Sequence, residues 1–326
     1  MDKIRRIAVL TSGGGSPGFN PCIRAVVRMA IHVGWEPWGV RYGYMGLLNH
    51  EFVQLSSRSV SHILAQGGTF LGSSRSEAFK TPPGFRDAVR NLNEMGADAL
   101  IVIGGDGSLR GARALQEAGF PTVGVPGTIE NDVCGTDAAL GVDTALNTAL
   151  DAIDRIKDTA SSHEQAFLVE VVGSKCGYLA LMAGLGGGAE MVCIPEVPFS
   201  LDDVVNEVAS AYVRGKKHCI ITVAEGAEPR AVAIAEHLNM HREETGFGVH
   251  LSILGQAQRG GSPMAHDRLL ATRLGAAAVE QLHQGVSGVM VGLVDGQTVC
   301  SPLAEVTECT RGIDESYYEL AKGLAR

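Results

Sequence analysis

Short apolar runs alternate along the chain with longer segments whose apolar residues recur every three to four positions. Ile7–Leu10, Trp35–Val40, Ala99–Ile103 and Thr122–Pro126 are short and nearly continuous in their apolar character, which predicts strands buried on both faces. The segments between them predict helices over Asn20–Val33, Ser59–Gln66, Gly84–Met95 and Ser108–Ala118. The second half keeps this rhythm. Helices are predicted over Asp143–Lys157, Gly177–Leu185, Leu201–Arg214, Glu228–Asn239 and Ala265–Leu282, and strands over Ala166–Val172, Met191–Ile194, His218–Ala224, Val249–Leu254 and Val289–Val294, the last clear strand. Such strand-turn-helix repetition predicts an α/β protein with a parallel sheet covered on both faces. No low-complexity or polar linker segment interrupts it. A length of 326 residues leads us to expect two domains, and composition marks no boundary between them.

Composition sharpens this picture at three points. The 42 glycines, against 5% aromatic residues, imply many tight turns and close backbone approaches. A formal net charge of −9 makes nucleic acid or an anionic membrane a poor main partner, while leaving room for a small anion in a local pocket. Seven cysteines form no Cys-x-x-Cys pair, and most lie in apolar runs such as the one around Cys219. Reduced, buried thiols in a cytoplasmic protein are therefore expected, with no metal held through sulfur. The apolar stretch near the start is too short for a signal peptide, and no apolar run is long enough to span a bilayer.

The candidate chemistry sits at three strand-to-loop junctions. The first runs from Leu10 through Gly13, Gly14, Gly15 and Gly18 into the predicted helix at Asn20. Exposed backbone N–H groups and a positive helix end there form a cradle for an anion, although a plain tight turn is the simpler alternative. The second, Ile103–Ser108, has glycines that let a phosphate chain approach the backbone. It also has Asp106, either a magnesium ligand or an N-cap of the following helix. The third, Pro126–Asp132, places Glu130 and Asp132 on either side of Asn131. Phosphoryl transfer needs one carboxylate to accept the acceptor's proton and others to organise a metal. A solvated acidic turn is the alternative. The carboxyl end of a strand, where α/β sheets place their ligands, favours the functional reading.

These loops, with Gly67–Arg75, Ser161–His163, Val169–Gly177, Val223–Pro229 and Ile253–Pro263, resemble in order and spacing the ATP-dependent 6-phosphofructokinase family over essentially the whole chain. The resemblance implies a phosphofructokinase-like fold of two three-layer α/β domains with mostly parallel sheets and the active site between them. By that likeness, residues 1–141 and 254–303 would form the larger, ATP-binding domain, and residues 142–253 and 304–326 the smaller, acceptor-binding one. It implies ATP and Mg²⁺ as cofactors. Gly14, Gly15, Tyr44, Arg75, Gly105, Asp106, Gly107 and Ser108 would line the nucleotide, Asp106 would hold the metal, and Glu130, Thr128, Asp132 and Arg75 would be catalytic. Gly107 leaves room for the α-phosphate where pyrophosphate-using relatives carry Asp, and Gly127 stands where they carry Lys, so both imply ATP as donor.

The likeness assigns the acceptor to Gln165, Val172, Gly173, Ser174, Glu225, His250, Gln256 and Arg259. Here the sequence departs from the family pattern. Glu130 stands in place of the usual Asp base, Gly15 in place of Asp, and Ser174 in place of an arginine. Among the positions that grip the sugar 6-phosphate, Gln165, His250 and Gln256 replace cations and only Arg259 is kept. A phosphate dianion is best held by charge-assisted bonds, and each one lost costs on the order of 1.5–3 kcal/mol. A carboxylate displaced by about 1 Å can lose roughly a hundredfold in rate.

Arg24, Arg28, Lys157, Glu190, Lys216 and Lys217 match or approximate the family's allosteric site for a nucleotide or phosphoenolpyruvate. Ser57 replaces an arginine there, beside Arg58. The plain alternative is that Arg24 and Arg28, spaced i,i+4, form a solvated helix stripe. A homo-oligomer, a tetramer, is expected by resemblance. Three functions stay open: phosphorylation of fructose 6-phosphate, phosphorylation of another sugar or polyol lacking the 6-phosphate, and a catalytically weak regulatory paralogue.

Overall fold

The computed structural model describes residues 4–309 and 311–325. In chain order the strands are β1 (Arg6–Thr11), β2 (Glu36–Val40), β3 (Phe52–Gln54), β4 (Ala99–Gly104), β5 (Thr122–Pro126), β6 (Gln165–Val171), β7 (Met191–Cys193), β8 (Cys219–Ala224), β9 (Gly248–Ile253), β10 (Val289–Val294) and β11 (Gln297–Pro302). They form two sheets, one in the order β11-β10-β5-β4-β1-β2-β3 and one in the order β7-β8-β6-β9.

The first compact unit comprises Met1–Ile129, Val133–Thr144 and Arg259–Thr310. Its sheet is parallel except at its two edges, where β3 pairs antiparallel with β2 and β11 antiparallel with β10. The mostly parallel sheet expected is observed, with the antiparallel pairs confined to its edges. Edge strands face only one neighbour and need no continuous apolar run, so β3 and β11 carry weak sequence signals. Asp295 and Gly296, at φ 50° and 72°, turn β10 tightly into β11; this Asp-Gly pair is the hairpin signal that could have revealed the last strand.

Residue alternation along β1 and β4 builds two cores. Ile7, Val9, Ile101 and Ile103 point to one face, against helices Phe19–His32 and Ala265–His283. Ala8, Leu10, Leu100 and Val102 point to the other, with Leu92 and Leu109 of helices Pro82–Met95 and Asp106–Glu117. Both faces are covered, and that is why these strands read as continuous apolar runs.

The second unit comprises Glu130–Asp132, Ala145–Gln258 and Arg311–Arg326. Its sheet is parallel throughout. Ala166, Leu168, Ile221 and Val223 pack under helices Leu201–Val213 and Ala231–Met240. Helix Leu201–Val213 starts at a capping box in which Ser200 and Asp203 satisfy each other's backbone N–H groups.

Several sequence expectations change. Ser59–Gln66 forms turns rather than a helix. The hydroxyls of Ser56 and Ser59 each accept from the other's backbone N–H, at 3.2 and 3.1 Å, so serine side chains compete with helical bonding. Helices Gly43–Leu48 and Leu303–Glu308, too short to show a period, and Glu315–Leu324 were not expected. Leu303–Glu308 packs in the first unit, where Arg113 bonds Thr307 and Glu308, whereas the expected boundary put residues 304–326 together in the other.

The cysteine expectation is corrected too. Cys22, Cys176, Cys193 and Cys219 are buried free thiols, but Cys300 is exposed, and Cys134 and Cys309 form a disulfide across 175 residues. No described helix is long and apolar enough to cross a membrane.

Candidate functional site

The first unit gathers the three glycine loops. Ser12 N–H donates to Ile103 O at 3.0 Å, and Gly127 N–H to Gly104 O at 2.9 Å, so the ends of β1, β4 and β5 adjoin. A β-carbon on Gly104 would lie 2.5 Å from Ser108 Oγ and 2.6 Å from Ser12 O, which leaves no space for any larger residue. A β-carbon on Gly105 would meet Thr128 Cβ at 3.4 Å, so the second and third loops touch there. Gly107 has no such neighbour, and its position is open.

The segment that carries Arg75 is sewn to the first loop. Thr69 and Thr11 share a hydroxyl hydrogen bond of 2.9 Å, and Ser73 Oγ donates to Gly13 O at 2.7 Å. Asn20, buried at the head of its helix, donates to Gln66 O and Gly67 O and accepts from Phe70 N–H. The chain therefore reaches the exposed Arg75 from a fixed base beside Gly13. Arg259 also faces this loop, since a β-carbon on Gly14 would lie 2.8 Å from its Nη1.

Asp106 is the first residue of helix Asp106–Glu117, and Gly105 is its N-cap without a side-chain cap. The capping alternative for Asp106 therefore gives way to another role. Its two oxygens meet Arg110 Nε at 3.1 Å and Nη2 at 3.0 Å, in an exposed i,i+4 pair at the positive end of the helix. Tyr44 lies beneath this helix rather than on its surface. It is 5% exposed, stacks on Phe79 at 4.1 Å between ring centroids, and donates to Ser108 O at 2.7 Å. Burial pushes its phenol far up, so it stays a donor. Gly127 has a packing reason as well, because a β-carbon there would sit 2.4 Å from Phe19 Cε1.

In the second unit, the Glu130–Asp132 segment is held by side chains of that unit. Glu130 Oε2 accepts from Ser174 N–H at 3.0 Å and from Ser174 Oγ at 2.9 Å. Asn131, buried and at φ 52°, bonds the Tyr178 hydroxyl. Val172 N–H donates to Gln258 Oε1 at 2.8 Å, and Gly226 N–H to Gly173 O at 2.9 Å, so the Val172–Ser174 turn is fixed from two sides. Gln258 is wholly buried between the sequence-predicted Gln256 and Arg259. It was missed because nothing in the sequence distinguishes a buried amide from an exposed one.

The remaining acceptor candidates lie along the strands. Gln165 opens β6, and exposed His250 on β9 stacks on Phe167 of β6 at 5.0 Å. Gln256 is exposed in the turn after β9. Exposed Glu225 follows β8, near Glu170. Burial, and then the charge of Glu225, raise the Glu170 carboxyl above its ordinary value, while Arg230 pulls it down. Glu170, beside Glu225, was not singled out in the sequence.

The candidate effector residues are divided between the units. Glu190 is buried, accepts from Lys216 Nζ at 3.0 Å and from Ile220 N–H at 2.6 Å, and Lys216 also donates to Ala325 O at 2.9 Å. These two side chains tie the C-terminal helix to the sheet. Lys157 Nζ lies near Gly188, and Lys217 is exposed. In the first unit Arg28 is exposed, and Arg24 is partly buried. Burial and the charge of Arg28 pull the Arg24 guanidinium down from its ordinary value.

Parallel strands whose carboxyl ends carry three adjoining glycine loops, one opening a helix with a carboxylate in its first turn, define a phosphate-binding α/β protein. The phosphofructokinase family pattern matches residues 6–282. The chain is 48% identical over 322 residues to the ATP-dependent 6-phosphofructokinase of Natranaerobius thermophilus, covering 99% of this chain and 100% of the relative. It is 47% identical to that of Listeria welshimeri over 325 residues, with the same coverage. Phosphofructokinase from Saccharomyces cerevisiae superposes with a TM-score of 0.85 at 35% identity over 98% of this chain, which spans 46% of the yeast chain. The chain belongs to the phosphofructokinase family.

Proposed function

We propose that the protein transfers the terminal phosphoryl group of ATP to the free primary hydroxyl of fructose 6-phosphate, yielding fructose 1,6-bisphosphate and ADP. The convergence of the Gly13–Gly18, Gly104–Gly107 and Gly127–Thr128 loops carries this reading. It is supported by full-length relatives bearing that name at 47–48% identity. The donor side uses backbone N–H groups of Gly14, Gly15, Gly105 and Gly107 with the exposed Arg75; the Ser108 N–H already donates to Gly105 O at 2.9 Å. Glu130 takes the acceptor hydroxyl's proton, Thr128 and Asp132 orient the loop beside it, and Arg75 offsets charge on the transferring group.

Magnesium fits this set. A hard cation of this kind takes one or two carboxylates plus phosphate oxygens, not a protein cage, and Asp106 offers an exposed carboxylate at the right loop. The Asp106–Arg110 pair, with side chains 37% and 63% exposed, is solvent-screened and gives way readily. When bound, the ion neutralises charge on the transferring phosphates. The protein is proposed to act in the cytoplasm as a homo-oligomer, a tetramer. Arg28, Lys157 and Lys217, with partly buried Arg24, are the candidate cations for a nucleotide or phosphoenolpyruvate effector, since Lys216 is engaged by Glu190.

One observation favours a second acceptor. Gln165 and Gln256 are uncharged amides, and His250 lies flat on Phe167. That lining suits a sugar or polyol without a phosphate. The test is ADP release with ATP, Mg²⁺ and fructose 6-phosphate against a blank without acceptor. Turnover of about 1–100 per second supports the first reading. Turnover only with non-phosphorylated sugars or polyols supports the second. Failure with every acceptor while ATP still binds leaves the regulatory paralogue.

A further inference from the structure

We infer that Ser174 is a positioning residue for Glu130, setting the direction of its carboxylate rather than binding nucleotide or acceptor. The inference rests on the proposed role of Glu130 in proton transfer. Ser174 directs two donors, its N–H at 3.0 Å and its Oγ–H at 2.9 Å, onto the same oxygen, Oε2. A carboxylate on two methylenes has more rotamers than one on a single methylene, and a pair of donors on one oxygen selects among them.

The donors themselves are fixed. A β-carbon on Gly226 would lie 2.1 Å from Ser174 O, so the Gly226 backbone is pressed against this turn, and one on Gly173 would lie 2.7 Å from Cys176 O. Gly226 N–H bonds Gly173 O, and buried Gln258 holds Val172 N–H. Ser174 is thus a rigid point from which to aim a longer side chain. Its own side chain is exposed, so shortening it removes one hydrogen bond without opening a cavity.

The test compares Ser174→Ala, Ser174→Thr and Glu130→Asp. The alanine variant loses roughly tenfold or more in kcat, as for one hydrogen bond to a charged group, with KM for ATP and fructose 6-phosphate within about twofold of wild type. The threonine variant, which keeps the hydroxyl, recovers most of the rate. In the Glu130→Asp background, where the carboxylate is drawn back from Ser174, Ser174→Ala costs less than about twofold, so the two changes are coupled. A raised KM with unchanged kcat, or additive losses, overturns the inference and returns Ser174 to ligand binding.

A second readout needs no turnover. In protein labelled with ¹³C at glutamate carboxyls, the Glu130 signal, assigned by its loss in Glu130→Gln, shifts in Ser174→Ala and returns in Ser174→Thr. If wild type turns over no fructose 6-phosphate, the proposed activity fails, and this signal alone decides the positioning role. An unmoved signal overturns it.

Discussion

The Tyr44 hydroxyl donates a 2.7 Å hydrogen bond to the carbonyl of Ser108, from a ring sealed against Phe79. The second glycine loop is therefore braced from beneath by a buried side chain. Tyr44→Phe removes this hydrogen bond and should lower stability by about 0.5–1.5 kcal/mol in denaturant titration. KM for ATP should rise a few-fold through a loosened loop. A variant with unchanged stability would show that the bond carries no load.

Gly104 and Gly107, three residues apart, should respond in opposite ways. A β-carbon at Gly104 collides with Ser108 and with the backbone oxygen of Ser12, so Gly104→Ala should cost about 1–3 kcal/mol by denaturant titration. Gly107→Asp meets nothing and should change stability by less than about 0.5 kcal/mol. The new carboxylate would nevertheless repel the donor phosphates, and calorimetry should show ATP binding lost.

Glu170 makes stability depend on pH. Burial and Glu225 raise its folded value above the unfolded one, so the folded state favours the protonated acid. The resulting stabilisation is complete below the ordinary glutamate value and is lost as pH rises through the raised folded value. Glu170→Gln removes that loss. The melting temperature of the variant relative to wild type should climb from about pH 4 upward and level off above the raised value. A difference constant with pH would contradict the assignment.

The Cys134–Cys309 disulfide predicts a thiol count. Denatured, unreduced protein should react at five cysteines and reduced protein at seven. Cys134→Ser should lower stability by about 2–4 kcal/mol under oxidising conditions and by far less with a dithiol reductant present. Seven reactive thiols without reduction would contradict the bond.

The glycine loops were legible because each follows a continuous apolar strand, so position and residue type gave the same reading. The central strands were legible for the same reason. What stayed hidden depends on contacts distant in sequence. Ser174 and Glu130 are 44 residues apart, and Cys134 and Cys309 are 175 apart. Tyr44 was assigned to the nucleotide by resemblance, and its burial was not legible because a tyrosine among glycines looks the same whether its ring points outward or under the neighbouring helix. Gly127 read as a sign of the phosphoryl donor, yet Phe19 alone already requires a glycine there. Ser59–Gln66 misled because helical spacing of apolar residues does not register hydroxyls that capture backbone groups.

Transfer from ATP to a phosphorylated sugar is the activity to be tested. Its most direct test is the ratio of kcat/KM for fructose 6-phosphate to that for fructose, measured with ATP and Mg²⁺ on wild-type protein. A ratio of at least about a hundred is predicted, since even one or two charge-assisted contacts to the 6-phosphate supply that discrimination. A ratio near one, or in favour of the unphosphorylated sugar, would contradict the account and assign the protein a different acceptor.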